Sequence, residues 1–287
     1  MAIRTVLASA SGTKDAKILL SSAFQVARQL DAHLKVLHVR TDPRETIPLL
    51  GEGMSVGMID DMTRIAEDEC NNRAQRARAQ FDECVSETSA TVEDRPSAAG
   101  FSVSWVEAGG REDEVVAQYG RLADLTVVAR PDAAAEVGHT MVLNAALFDS
   151  GRPALVIPPK GVAQIGQKIV VSWNGSAQSA RAVSSALGIL KSAAEVTIFT
   201  IESQRATSAS SAGMSDYMAY HGIKCAIHTL TGSGTSVGEA LLKEASAIGA
   251  DMIVMGAYTH SRMRQLILGG VTRHVLEEST VPLFMAH

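Results

Sequence analysis

Short apolar runs alternate along this chain with longer stretches in which apolar residues recur every three or four positions. Arg4 to Ser9 is a short run that passes into a turn at Ser9-Ala10-Ser11-Gly12. Asp15 to Leu30 is a longer stretch, with Ile18, Leu19, Phe24, Val26, Ala27 and Leu30 at helical spacing. The pattern predicts strands over Leu34 to Val39, Phe101 to Glu107, Leu125 to Ala129 and Ala154 to Ile157, and helices over Ile59 to Val85 and Glu112 to Leu122. Strands alternating with helices predict βαβ units and a parallel sheet, because parallel neighbours need a long crossover. Runs such as Thr126 to Ala129 and Ile169 to Val171 are apolar throughout, as expected of strands covered on both faces.

The second half repeats the plan. It predicts strands over Lys168 to Trp173, Glu195 to Ile201, Ile223 to Leu230, Met252 to Met255 and Val281 to Met285. Helices are predicted over Ala177 to Leu190, Val237 to Ile248 and Val271 to Glu278. Asp124 to Pro131 lies on Asp251 to Tyr258 with a shift of 251 − 124 = 127. Pro153 lies on Pro282 (shift 129) and Val39 on Ile201 (shift 162), so the loops differ in length. Such coincidences point to a duplicated unit. The expected domains are residues 1–160 and 161–287, joined by a linker from Pro158 to Gly166 where turn formers cluster.

Composition narrows the partners. The 287 residues are 46% hydrophobic and 20% charged, enough to bury a sizeable core, and the net charge of −5 offers no general attraction for nucleic acid or an anionic membrane. Cys70, Cys84 and Cys225 stand at unrelated spacings and read as reduced thiols, and the eight histidines show no metal-ligand spacing. Met1 to Leu7 has one basic residue and no apolar run of signal-peptide length, and no stretch is apolar enough to span a membrane. A cytoplasmic location is expected.

Candidate chemistry concentrates between Met255 and Thr272. Gly256 closes a buried strand at the carboxyl end of the sheet, where open α/β folds bind ligands. Gly269 and Gly270 stand just before a helix whose first amides are free to donate to phosphate oxygens. Ser261 adds a hydroxyl, and Arg262, Arg264 and Arg273 are candidate charge partners. Alternatively, the glycines only permit tight turns.

Over nearly its whole length the chain resembles the tandem, two-domain members of the universal stress protein family. Trp173-Asn174-Gly175-Ser176 with Arg181-Ala182-Val183 carries the resemblance. So do Gly256-Ala-Tyr-Thr-His-Ser-Arg, Leu268-Gly-Gly-Val-Thr-Arg-His-Val-Leu276 and the closing Ser279-Thr-Val-Pro-Leu-Phe284. The resemblance implies two similar open parallel five-stranded sheets with flanking helices, Rossmann-like and similar to the adenine nucleotide alpha hydrolases. It also implies that they pack as an intrachain pseudo-dimer through their last strands, with Pro153 and Pro282 at the sheet edges. ATP-binding members carry G, two residues, G, nine residues, G and then Ser or Thr. Gly256 matches the first glycine and Gly269 the third, whereas Thr259 stands at the second and Gly270 at the hydroxyl position. Asn174 matches the family's adenine-side aspartate and Ile201 the residue whose backbone meets adenine. The implied site is therefore Asn174, Gly175, Ser176, Ile201, Gly256, Thr259, Ser261, Arg262, Gly269, Gly270, Val271 and Thr272, holding ATP or another adenine nucleotide in the second domain only. A β-branched Thr259 disfavours positive φ, and Gly270 removes a hydroxyl. In the first half Ala129 replaces Gly256 and no Gly-Gly pair precedes the last helix, so that unit is expected to hold no nucleotide.

Three functional readings follow. One is a stress-response regulatory protein with an adenine-nucleotide site. Another is a nucleotide-free interaction or scaffold module with an unknown protein partner, and a weaker third is a nucleotide-dependent hydrolase or transferase. No acid, base or metal-binding carboxylate stands beside the loop, so any ATP hydrolysis is expected to be slow, and no catalytic residue is assigned. Association of chains into a homo-oligomer is also expected. Ser176 with His260 or His274 lacks a nucleophile elbow, and Ser176 reads as a helix cap. His38 reads as a satisfied strand residue. Met54, Met58 and Met62 read as core filling, with a flexible partner surface as the alternative, and the Ile59 to Val85 helix presents a solvated mixed-charge face. Ser203 to Ser211 reads as a mobile loop that could cover the second site.

Overall fold

Alternate residues of a strand face opposite sides of a sheet, and in this chain both sides are apolar. In the strand Leu125–Ala129, Leu125 and Val127 join one core while Val128 joins another. Such strands need cover on both faces, and helices supply it. The computed structural model describes residues 2–13, 16–41, 56–93, 95, 100–131, 137–162, 164–201, 208–230, 236–257 and 270–287.

The first unit runs β1 (Thr5–Ser9), α1 (Ala16–Gln29), β2 (His33–Arg40), α2 (Val56–Thr88), β3 (Thr91–Val92), β4 (Ser102–Gly109), α3 (Glu112–Gly120), β5 (Leu125–Ala129), α4 (Val137–Asn144) with a π-helical turn (Ala145–Asp149), and β6 (Ala154–Ile157). The second runs β7 (Lys168–Trp173), α5 (Ala177–Ser192), β8 (Glu195–Ile201), α6 (Ser208–Tyr220), β9 (Ala226–Leu230), α7 (Val237–Ala247), β10 (Met252–Gly256), α8 (Gly270–Glu278) and β11 (Leu283–Ala286). One core lies under α1, α2, α5 and α6, the other under α3, α4, α7 and α8, and each crosses both units.

The strands form one sheet in the order β3-β4-β2-β1-β5-β6-β11-β10-β7-β8-β9. Neighbours are parallel except β6 and β11, which pair antiparallel with Leu283 opposite Val156, Phe284 opposite Leu155 and Met285 opposite Ala154. The expected meeting of last strands thus fuses two parallel sheets into one. Phe284 and Leu155 are also counterparts in the repeat (284 − 155 = 129), so a pseudo-twofold axis passes between them. The edge placement expected of Pro153 and Pro282 is corrected, because β6 and β11 are interior strands. Each proline precedes the first residue of its strand, where no donor is needed, and its carbonyl accepts from Thr126 N (3.1 Å) or Ile253 N (3.0 Å).

Hydrogen bonds repeat the duplication. Asp124 Oδ2 accepts from the amides of Arg4 (2.9 Å) and Thr5 (3.1 Å), and Asp251 accepts from those of Gly166 (3.0 Å), Gln167 (2.8 Å) and Lys168 (3.1 Å). Ser150 Oγ accepts from Arg152 N, and Ser279 Oγ from Val281 N. The segment expected to be a linker is docked: Ile165 is fully buried, Val162 N donates to Ser22 Oγ, and the Gln29 amide bonds both N and O of Ile165.

Three other expectations change. Ser208 to Ser211, read as loop, begins α6, which seats Met214 and Met218 in the core one turn apart; residues 202–207 lie outside the described residues. Met58 (55% exposed) and Met62 (37%) do not fill the core, because the first buried side chain described in α2 is Ala74, and Met54 lies outside the described residues. The solvated face of α2 is only half the account: Ala74, Ala77, Phe81 and Cys84 form a buried stripe. His38 is satisfied as expected, donating from Nδ1 to Ala10 O (2.7 Å).

His33 is a buried histidine at the amino end of β2. Its Nδ1 lies 2.8 Å from Ser102 Oγ and its Nε2 2.9 Å from Ser104 Oγ. Burial, followed by the nearby Lys35 charge, lowers its pKa below the ordinary 6.5. The unfolded chain therefore takes up a proton at His33 before the folded chain does, so His33 costs stability as pH falls below 6.5. Urea midpoints should drop between neutral and mildly acidic pH, and His33→Gln should flatten part of that drop. An unchanged slope in the variant would show that His33 does not contribute.

Candidate functional site

In the second unit, β8 follows on one side of β7 and β10 lies on the other, so the chain changes direction between β7 and β10. A crevice opens at the carboxyl ends of strands at such a switch point. The helices that begin there, α5 and α8, cover opposite faces of the sheet.

The turn from β7 into α5 is built by local polar contacts. Gly175 takes φ +73°, which an L-residue adopts only with strain. Asn174 Oδ1 accepts from Ser176 N at 3.1 Å, and Ser176 Oγ caps α5 by accepting from Ser179 N at 3.1 Å. Ser176 is thus a helix cap, as expected. His274 packs its ring on Gly238 of α7, and His260 lies outside the described residues. Asn174 and Gly175 are exposed at the crevice, and Ile201 ends β8, paired with Leu230.

Gly256 ends β10 opposite Ala286. A β-carbon built there would sit 2.5 Å from Ser179 N and 2.7 Å from Gln178 C, so its missing side chain admits the first turn of α5. Close helix–strand packing accounts for this glycine without a ligand. Gly270 differs: among the described residues nothing lies within 4 Å of a β-carbon built on it, and it is exposed at the start of α8. Thr272 is buried and Val271 packs on the core, so their side chains face inward and their amides are what this end offers. The structure thus brings together Asn174, Gly175, Ser176, Ile201 and Gly256 around the crevice, with α8 starting at Gly270. Thr259, Ser261, Arg262 and Gly269 lie outside the described residues.

The corresponding place in the first unit is built differently. Ser11, Gly12 and Thr13 match Asn174, Gly175 and Ser176, and Gly12 has φ +72°. Here α2 straps the turn: Arg73 Nε donates to Ser11 O (3.2 Å), Arg76 Nε to Gly12 O (3.1 Å) and Gln80 Nε2 to Thr13 O (2.9 Å). A cavity of about 40 Å³, room for a few waters at most, remains beside Ser9, Glu112, Ala129 and His139. Ser9 Oγ donates to Glu112 Oε1 at 2.6 Å, which places a carboxylate where an incoming phosphate would be repelled. Arg130, next to Ala129, reaches across to the second unit and donates to Ser279 O at 2.7 Å. The strap, Glu112 and His139 were not found by sequence reasoning. Arg73, Arg76 and Gln80 recur at helical spacing, but nothing local names the carbonyls they reach.

Among the described residues no cluster of three or more His, Cys, Asp or Glu could hold a metal ion, the three cysteines are free, and no helix is long and apolar enough to cross a membrane.

Comparison with known proteins places this geometry. Residues 166–287 match the model of the universal stress protein family. No curated protein matches the chain. Among solved structures, a universal stress protein from Archaeoglobus fulgidus DSM 4304 is similar at 19% identity and a TM-score of 0.63, over 98% of this chain and 97% of that one. A protein of Pseudomonas aeruginosa PAO1 described as functionally unknown is similar at 14% identity and a TM-score of 0.57, over 99% and 92%. These likenesses establish a shared fold over nearly the full length, so both units have the architecture expected of the tandem type. The second unit, residues 166–287, matches the universal stress protein family, and the chain as a whole shares the fold of the tandem structures.

Proposed function

We propose that this protein is a stress-response regulator whose second unit binds an adenine nucleotide at the β7–β10 switch point, while its first unit is a structural partner without a nucleotide. The observation that carries this reading is the contrast between the two matching turns. In the first unit the turn's carbonyls are tied to α2 and a carboxylate lines the crevice. In the second, Asn174 and Gly175 are exposed, and so is Gly270, the first described residue of α8. The free amides and positive dipole of a helix start favour phosphate there.

Calorimetric titration of ATP into the full chain tests the proposal. Saturable binding is expected, and Gly270→Asp should weaken it by about tenfold or more. The added carboxylate repels phosphate yet suits a helix N-terminus, so the melting temperature should hold or rise. No binding at about millimolar ATP would remove the ligand and leave the second reading, a nucleotide-free interaction module. One observation favours that alternative: Gly256 has a packing reason to be glycine.

A further inference from the structure

We propose that a cavity at the amino end of the first unit's sheet, remote from the nucleotide crevice, binds a small carboxylate with an apolar, ring-sized body. The cavity, about 190 Å³, lies between the β1–β2–β4 surface and the end of α3. Strand register puts Leu7, His33, Lys35 and Ser104 on that surface, and Tyr119 and Leu122 close it from the helix side.

Charge selects the ligand's head. The Lys35 ammonium lies 5.8 Å from the Tyr119 ring centroid, and among the described residues it joins no ion pair. Asp124 is already taken by the amides of Arg4 and Thr5 and by the Thr5 hydroxyl (3.1 Å), and the Glu93 carboxylate acts on His33. A half-buried cation that joins no ion pair among the described residues is satisfied by a bound anion. One ammonium and one hydroxyl, that of Ser104, match a monoanionic carboxylate.

Shape and apolar lining select the body. An apolar cavity of about 150 Å³ holds one benzene ring, so this volume accommodates a ring with its carboxylate. Leu122 is 81% exposed at the mouth, and the rest of the apolar lining comes from Leu7 and its neighbours.

His33 provides a reporter. Both of its ring nitrogens face serine hydroxyls, so one donates and the other accepts. If Ser104 gives its proton to a bound carboxylate, it must accept from His33 Nε2–H, and Nδ1 then accepts from Ser102. Occupancy therefore selects the Nε2–H tautomer.

The experiment is a benzoate titration of the full chain near pH 7.5, followed by ¹⁵N NMR of the His33 ring, with neutral benzamide as control. Benzoate is expected to shift His33 saturably toward the Nε2–H form, and benzamide to bind about tenfold more weakly or worse. Lys35→Met, which keeps the apolar stem, should lose about tenfold in benzoate affinity at unchanged melting temperature. Equal binding of benzoate and benzamide, no saturable response at His33, or full affinity in a folded Lys35→Met chain would each overturn the proposal. Should Lys35→Met fail to fold, the comparison of the two probes on the unaltered chain decides. ATP plays no part in this measurement.

Discussion

Gly256→Ala is expected to destabilise the chain by about 3 kcal/mol, near the upper end of overpacking costs. The new methyl would sit 2.5 Å from Ser179 N and 2.7 Å from Gln178 C. Both atoms belong to the backbone of α5, so no side chain can rotate out of the way. Either the carboxyl end of β10 or the first turn of α5 must move, and Ser176, which caps that turn through Ser179 N, moves with it. Gly270→Ala provides the contrast: no described residue lies within 4 Å of its β-carbon position, and its effect should stay within about 0.5 kcal/mol. Equilibrium urea unfolding of the two variants distinguishes them. Equal, small losses would mean that Gly256 is not held against α5.

The second large effect is expected at the axis between the units. Phe284 is fully buried in β11, and Phe284→Ala should cost about 3–5 kcal/mol in transfer energy and cavity formation. Leu155, its partner across the axis, is also fully buried, and Leu155→Ala should cost about 2–5 kcal/mol. Because the two residues face each other, the double variant should depart from additivity by about 0.5 kcal/mol or more. Each core also runs through both units, so calorimetry should show one transition that moves as a whole. Two transitions, with only the later one sensitive to Phe284→Ala, would show that the units fold independently.

The nucleotide reading and the carboxylate reading use different units of the sheet. The first depends on amides at the carboxyl edge of the second unit. The second depends on side chains of β2, β4 and α3 at the amino edge of the first, so either can fail alone.

Apolar runs with turn residues between them were enough to place ten of the eleven strands among the described residues, the parallel sheet and the duplication, because each is a local consequence of burial on two faces. The exception, β3, is two exposed residues long and leaves no pattern to read. α6 was hidden for another reason: its Ser, Ala and Gly residues look like a loop, and its inner face is marked by Met214 and Met218, with Tyr217 beside them.

The sites divide along the same line. Turn chemistry was legible in Asn174-Gly175-Ser176, since an Asx turn and a helix cap are made within three residues. The role of Gly256 was not, because the backbone it admits lies 77 residues earlier (256 − 179 = 77). Arg73, Arg76 and Gln80 could be assigned to one helical face, but that they close the first unit's turn depends on how α2 lies over β1. Lys35 and Tyr119 meet for the same kind of reason, across a sheet-to-helix contact. Periodicity records which side of an element is buried; what it is buried against is a matter of packing among elements far apart in the chain, and both candidate sites arise there.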